Sequence, residues 1–308
     1  MANQSTVTEF LLMGLSDNHD MQILYFAMFL VIYLLALIGN FLLGVAVILN
    51  QQLHAPMYFF LVNLSFSDVC FISTTIPKAM ATSLTNNRDI SYVGCAAQVF
   101  SVFTFGGSEL ALLTVMAYDR YVAICQPLQY TLMMNWDACL QMAAASWIST
   151  LIHALLHTIL TFRLNFCKFN RIEQFFCDIP HLLIISCIDT RINQILILVI
   201  GITVNSFCSG LIFISYGYIF SAVLKIPSVQ GRYKAFSTCI PHLTVFSLFL
   251  ISILFAYMRP QNVSSHTLDL LSAVLYTVLP PLLNPFIYSF RNKDIQKALW
   301  KMLKIKVK

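Results

Sequence analysis

Seven stretches of this chain are apolar for about twenty residues or more, the length an α-helix needs to cross the hydrocarbon of a bilayer. They run near Ile23 to Leu49, Met57 to Met80, Gly94 to Ile124, Cys139 to Leu160, Asn193 to Val223, Thr238 to Met258 and Leu268 to Phe290. Backbone groups in lipid must find partners within the chain, and these runs lack the alternation of barrel strands. The expected fold is therefore an all-α membrane protein, a seven-transmembrane-helix bundle. Composition agrees, since 58% of the 308 residues are hydrophobic and only 10% charged, against roughly a quarter charged in a soluble domain.

Loop charge sets the expected orientation. Lys225, Arg232 and Lys234 lie between runs five and six, and Arg291, Lys293, Lys297, Lys301, Lys304, Lys306 and Lys308 follow run seven, whereas residues 1 to 22 hold no basic residue. This predicts a multi-pass plasma-membrane protein with its amino terminus outside and its carboxy terminus inside. Arg163, Lys168, Arg171 and Arg191 between runs four and five weaken the asymmetry without reversing it. No basic stretch precedes run one, which is expected to serve as its own targeting signal. Three parts follow: an outer segment 1–22, a membrane domain 23–290 and an inner tail 291–308. In the tail Ile295, Ala298, Leu299, Met302 and Leu303 recur at helical spacing against the lysines, which reads as a short amphipathic helix on the inner leaflet. Much of the net charge of +5 sits there, so membrane lipids and no nucleic acid are the partners it implies. Asn3 opens a glycosylation sequon, Asn3-Gln-Ser5, on the outer side.

Polar residues inside the runs mark function, because burying them in lipid is costly. Asn40, Asp68, Glu109 and the pair Asn284-Pro285 are expected to meet at mid-membrane. Two adjacent carboxylates need a cation or a shared proton, and a sodium ion at Asp68 and Glu109 is the leading expectation; no other cofactor is expected. Asp119 and Arg120 close run three where inner headgroups begin. His153 and His157 share a helix face, a spacing that can hold a metal, but no third ligand accompanies them and packing is the simpler reading. No nucleophile with a base stands at a catalytic spacing, so an enzyme is not expected.

Asp119-Arg120-Tyr121, Asn284-Pro285-Phe-Ile-Tyr288 and Cys95 together resemble the rhodopsin-like G-protein-coupled receptors. More narrowly, the chain resembles the olfactory receptors in Leu53-His-Ala-Pro56-Met-Tyr58 through Asp68, Met116-Ala-Tyr-Asp-Arg-Tyr-Val-Ala-Ile-Cys125, Ser215-Tyr216, Lys234-Ala-Phe-Ser-Thr-Cys239 with His242, and Pro281-Leu-Leu-Asn-Pro-Phe-Ile-Tyr-Ser-Phe-Arg-Asn292. The resemblance implies a receptor whose Arg120, released from Asp119, meets a heterotrimeric G protein of the stimulatory, olfactory type. It implies that Tyr121, Tyr216, Lys234, Asn284, Pro285 and Tyr288 take part in activation. It also implies a bridge from Cys95 to Cys177 and a second from Cys167 to Cys187, where the sequence alone permits three pairings.

The resemblance places a pocket for a small volatile odorant between the second outer loop and the polar cluster. Val102, Phe103, Gly106 and Gly107 line it from run three, Ile200, Val204 and Asn205 from run five, Ile253, Leu254 and Tyr257 from run six, and Thr277 from run seven. These suit a mostly apolar, neutral ligand. The glycines equally suit close helix packing. Where many olfactory receptors have Phe-Tyr-Gly, this chain has Phe249-Leu250-Ile251, so the tyrosine hydroxyl is missing. A small transporter or channel using the intramembrane acids is the alternative, opposed by the lack of two matching halves.

Overall fold

The computed structural model describes residues 8–16, 18–166, 170–187, 191–257 and 266–305. Seven spans long and apolar enough to cross a membrane are present among them. Six are single helices: α1 (His19–Leu49), α2 (Pro56–Thr85), α3 (Tyr92–Cys125), α5 (Trp136–Phe162), α7 (Arg191–Leu224) and α8 (Val229–Tyr257). The seventh is split into α9 (His266–Thr277) and α10 (Leu279–Arg291). Short helices α4 (Tyr130–Met133) and α6 (Ile179–Ile185) lie in connections, and α11 (Lys293–Ile305) follows the seventh span as an amphipathic helix.

The helices start where side chains can take up unpaired backbone donors. Asn18 accepts from the N–H of Asp20, Ser91 from that of Gly94 and Asn135 from that of Ala138. Pro56 opens α2, where its missing N–H costs nothing, and Asn86 ends that helix in the left-handed region at φ 53°. The break at Val278 has a covalent cause: Pro280 and Pro281 have no N–H to donate to a helix bond and force a restart. Helix α8 begins at Val229 and not near Thr238, because its first turns carry Gln230, Arg232 and Lys234 and project beyond the apolar run.

Prolines and glycines bring α1 against α10. Pro285 lacks the N–H that would bond to the carbonyl of Pro281, and Asn40 of α1 donates its side-chain amide to that carbonyl at 2.8 Å. The approach is possible because Gly39 has no side chain; a β-carbon there would lie 3.0 Å from the ring of Pro285. Asn40 thus meets a proline-freed carbonyl, and its amide is not spent on the acids.

At the end of the bundle where α2 meets α3 sits a three-stranded sheet of order β2-β1-β3. Strand β1 (Glu9–Leu12) pairs antiparallel with β2 (Asp89–Ser91) and parallel with β3 (Arg171–Ile172). Phe10 and Leu12 are buried with Cys95, Cys177 and Ile179. The first segment is therefore built into the molecule from residue 9. Cys95 and Cys177 form the expected disulfide, with Cα atoms 5.5 Å apart. Cys187 is disulfide-bonded, but Cys167, its expected partner, lies outside the described residues, as does Asn3.

Candidate functional site

The mid-membrane cluster forms from α2, α3 and α10. Asn284 donates to both carboxyl oxygens of Asp68, at 3.1 and 3.0 Å, and Glu109 lies beside Asp68. All three are at most 2% exposed. Alongside, the Ser67 and Ser108 hydroxyls meet at 2.5 Å and both reach the Phe105 carbonyl, tying α2 to α3 one residue before each acid. Two carboxyls buried side by side cannot both ionise unless a cation lies with them, and otherwise one keeps a proton. Glu109 Oε1 and Asn284 Oδ1 are buried without a hydrogen-bond partner. Spare oxygens beside two carboxyls are also what a hard cation takes as ligands, so the residues present fit sodium as well as a shared proton.

The residues expected around a ligand spread over several directions. Phe103 stacks on His157 with ring centroids 4.9 Å apart, and the two histidines meet Nε2 to Nε2 at 3.0 Å, one donating and one accepting. His157 is buried with its Nδ1 unpartnered, and Gly201 of α7 leaves space beside its ring. Asn205 is half-buried on the same stripe of α7 as Gly201 and bonds to its carbonyl. Ile200 and Ile253 are half-buried, while Val204 and Leu254 are 40% and 43% exposed and turn largely away from the protein. Thr277 is buried and donates to Ala273 of its own helix. A β-carbon on Gly106 would contact Phe71 of α2, and one on Gly107 would contact Thr150 of α5, so these glycines set the helix spacing. Val102 packs with Phe71, Phe175 and Phe176, the latter two coming from the segment that carries Cys177. The side chain of Tyr257 lies outside what is described.

At the opposite end, Arg120 forms an ion pair with Asp119, whose other oxygen accepts from the Tyr130 hydroxyl at 2.7 Å. Burial, then the carboxylate of Asp119, raises the pKa of the Tyr130 phenol and keeps it a donor. Tyr121 packs on Tyr218 of α7, and Lys234 stands exposed on α8. His242 of α8 lies within 2.8 Å of the Leu113 carbonyl of α3 through Nε2 and within 2.8 Å of the Tyr216 hydroxyl through Nδ1. A carbonyl only accepts, so Nε2 carries the proton and Nδ1 accepts from the tyrosine. One buried imidazole thereby ties α8 to α3 and α7. Leu250, where the tyrosine is missing, packs half-buried against the same core. Tyr288 is buried with its hydroxyl unpartnered.

A family model described as olfactory receptor matches residues 29–306. The chain belongs to the olfactory receptor family. Human olfactory receptor 14A16 is 48% identical to it, covering 100% of this chain and 99% of its own length, and human olfactory receptor 14C36 is 49% identical over 99% and 97%. Mouse olfactory receptor 1E16 is 46% identical over 96% and 95%. The crystal structure of squid rhodopsin matches with a TM-score of 0.68 at 17% identity, covering 93% of this receptor and 87% of that chain, which shows the seven-helix fold. The receptor is accordingly a multi-pass plasma-membrane protein and not an enzyme.

In this receptor the structure joins Asp68, Glu109 and Asn284 in one cluster and Arg120 with Asp119 in another. Of the groups at the inner end, one went unread in the sequence and one was read only as part of a motif. Tyr130 carries no signal beyond its place after Pro127, and His242 was legible through the motif it shares with Lys234 to Cys239 but without its partners Leu113 and Tyr216.

Proposed function

We propose that the receptor binds small, mostly apolar, neutral volatile molecules within the bundle and activates a stimulatory, olfactory-type G protein, raising cyclic AMP. The observation that carries this reading is the pairing of Arg120 with Asp119 within α3, beside the His242 link from α8 to the Leu113 carbonyl, which must break for α8 to leave α3 and uncover Arg120. Tyr130 would go on satisfying Asp119 once Arg120 departs, which lowers the cost of the release. Ligand binding acts by shifting the population toward that opened arrangement, in which Arg120, Tyr216, Lys234 and Tyr288 line the G-protein cleft.

The end carrying Arg120 faces the cytoplasm and the sheet faces outward, a reading supported by the basic residues of α8 and α11. Asn3 is then placed for glycosylation. The ligand sits beside Phe103, His157 and Asn205, with Ile200, Ile253, Tyr257 and Thr277 completing the wall, and Val102, Gly106 and Gly107 packing behind. Asp68, Glu109 and Asn284 would hold a sodium ion, whose charge lets both acids ionise.

The test is cyclic AMP in cells that express the chain with the olfactory α subunit, challenged with neutral volatiles. Arg120→Ala should remove a ligand-dependent rise at unchanged surface level. A rise that survives the substitution would overturn the coupling mechanism, and a ligand-evoked current without G protein would replace it with a channel.

A further inference from the structure

A groove of about 540 Å³ runs between α2 and α3 on the outside of the bundle, away from the residues assigned to odorant above. Cys70, Ser73 and Lys78 line it from α2, and Gly94, Ala97 and Ser101 from α3. Small side chains leave the space, and Phe105 borders its deep end, where it meets Trp147 edge-on at 6.3 Å. The Ser73 hydroxyl is already bonded to Val69 and Tyr33 and that of Thr74 to Cys70, so this wall is in effect apolar.

Depth identifies the occupant. Lys78 lies 22 residues along α2 from Pro56, or ~33 Å, just beyond a hydrocarbon thickness of ~30 Å. Its ammonium therefore stands at headgroup level. It gives one hydrogen to the Asp89 carbonyl at 2.7 Å, leaving two for a ligand. Cys70 lies ~12 Å deeper, among acyl chains. A groove in hydrocarbon capped by a cation at phosphate height fits a molecule with an anionic head and a hydrocarbon tail.

We propose that the groove between α2 and α3 is a binding site for an outer-leaflet glycerophospholipid, its phosphate on Lys78 and one acyl chain against Ala97 and Ser101. The site rests on the membrane orientation proposed above. Its inner wall is Gln98, which donates to the Thr74 carbonyl at 3.0 Å and accepts from the N–H of Cys177 at 2.8 Å. A bound lipid thus braces the helix pair that holds the disulfide-anchored segment.

The receptor in phosphatidylcholine nanodiscs, doped with phosphatidylcholine bearing a photoreactive acyl chain, should be labelled at residues 70–105. Lys78→Gln should lower that labelling about five-fold, the factor for ~1 kcal/mol, and Lys78→Arg should restore it. Ala97→Trp, which fills the groove, should abolish it while thermal melting shows the variant folded. Labelling unchanged in Lys78→Gln, or labelling of these residues by a photoreactive sterol in preference to the phospholipid, overturns the proposal. Staining of an amino-terminal tag on intact cells tests the orientation separately, so the two readings fail by different results.

Discussion

Pro285 leaves a carbonyl without its helix partner, Asn40 serves it, and Gly39 makes the approach possible. Gly39→Val should push α1 from α10 and destabilise the receptor by ~1–3 kcal/mol, seen as a lowered melting temperature in detergent. Gly44→Ala, where nothing lies within 4 Å, should be neutral or stabilising by ~0.5–1 kcal/mol. A second residue-scale prediction concerns His242. Replacing it by Leu removes both links from α8 and should raise ligand-independent cyclic AMP about five- to ten-fold, since ~1–1.4 kcal/mol of closed-state preference is lost. Unchanged basal signal would mean that the imidazole does not hold the receptor closed. Asp68, Glu109, Asn284 and Arg120 were legible because a polar residue in an apolar run is costly and conspicuous. Gln98 and Tyr130 were not, since an amide near a helix end or a phenol in a loop is ordinary until its partner is known.

Asn292 joins two elements. Its carbonyl oxygen caps α11 by accepting from Asp294 and Ile295, and its amide donates to the Tyr58 hydroxyl at the start of α2. Asn292→Ala should cost ~1 kcal/mol or more through the cap alone. A double-mutant cycle with Tyr58→Phe, read by thermal melting, should show a coupling of ~0.5–1.5 kcal/mol. Zero coupling would show that the two motifs, distant in sequence, do not act on each other. The spans themselves were readable to within a few residues, because length and hydropathy fix them. The start of α8 was not, because helix can continue into water where hydropathy falls silent. Nor was the direction of Gly106 and Gly107, since periodicity assigns a face but not the neighbour it meets.

For the molecule as a whole, the disulfide closes a separation of 82 residues, worth about 4.5 kcal/mol at most in chain entropy. The membrane already restricts the unfolded chain, so the realised gain is smaller. Cys95→Ser and Cys177→Ser should each reduce surface expression equally, and the double variant should be no worse than either, as flow cytometry would show. A double variant much worse than the singles would mean that the cysteines act apart. The seven-helix topology was written in the apolar runs, and the bridge came from resemblance. The sheet was not written anywhere: its strands are four, three and two residues long and pair across more than half the chain. That pairing also sets an order of manufacture. Residues 9 to 12 leave the ribosome ahead of all seven spans, yet their parallel partner at 171 and 172 appears only after four spans have been made. Until then Phe10 has no complete housing, so a segment made ahead of every span waits for four of them before it can reach its resting place, and a chain interrupted in that interval would carry the exposed ring as the mark of an unfinished product.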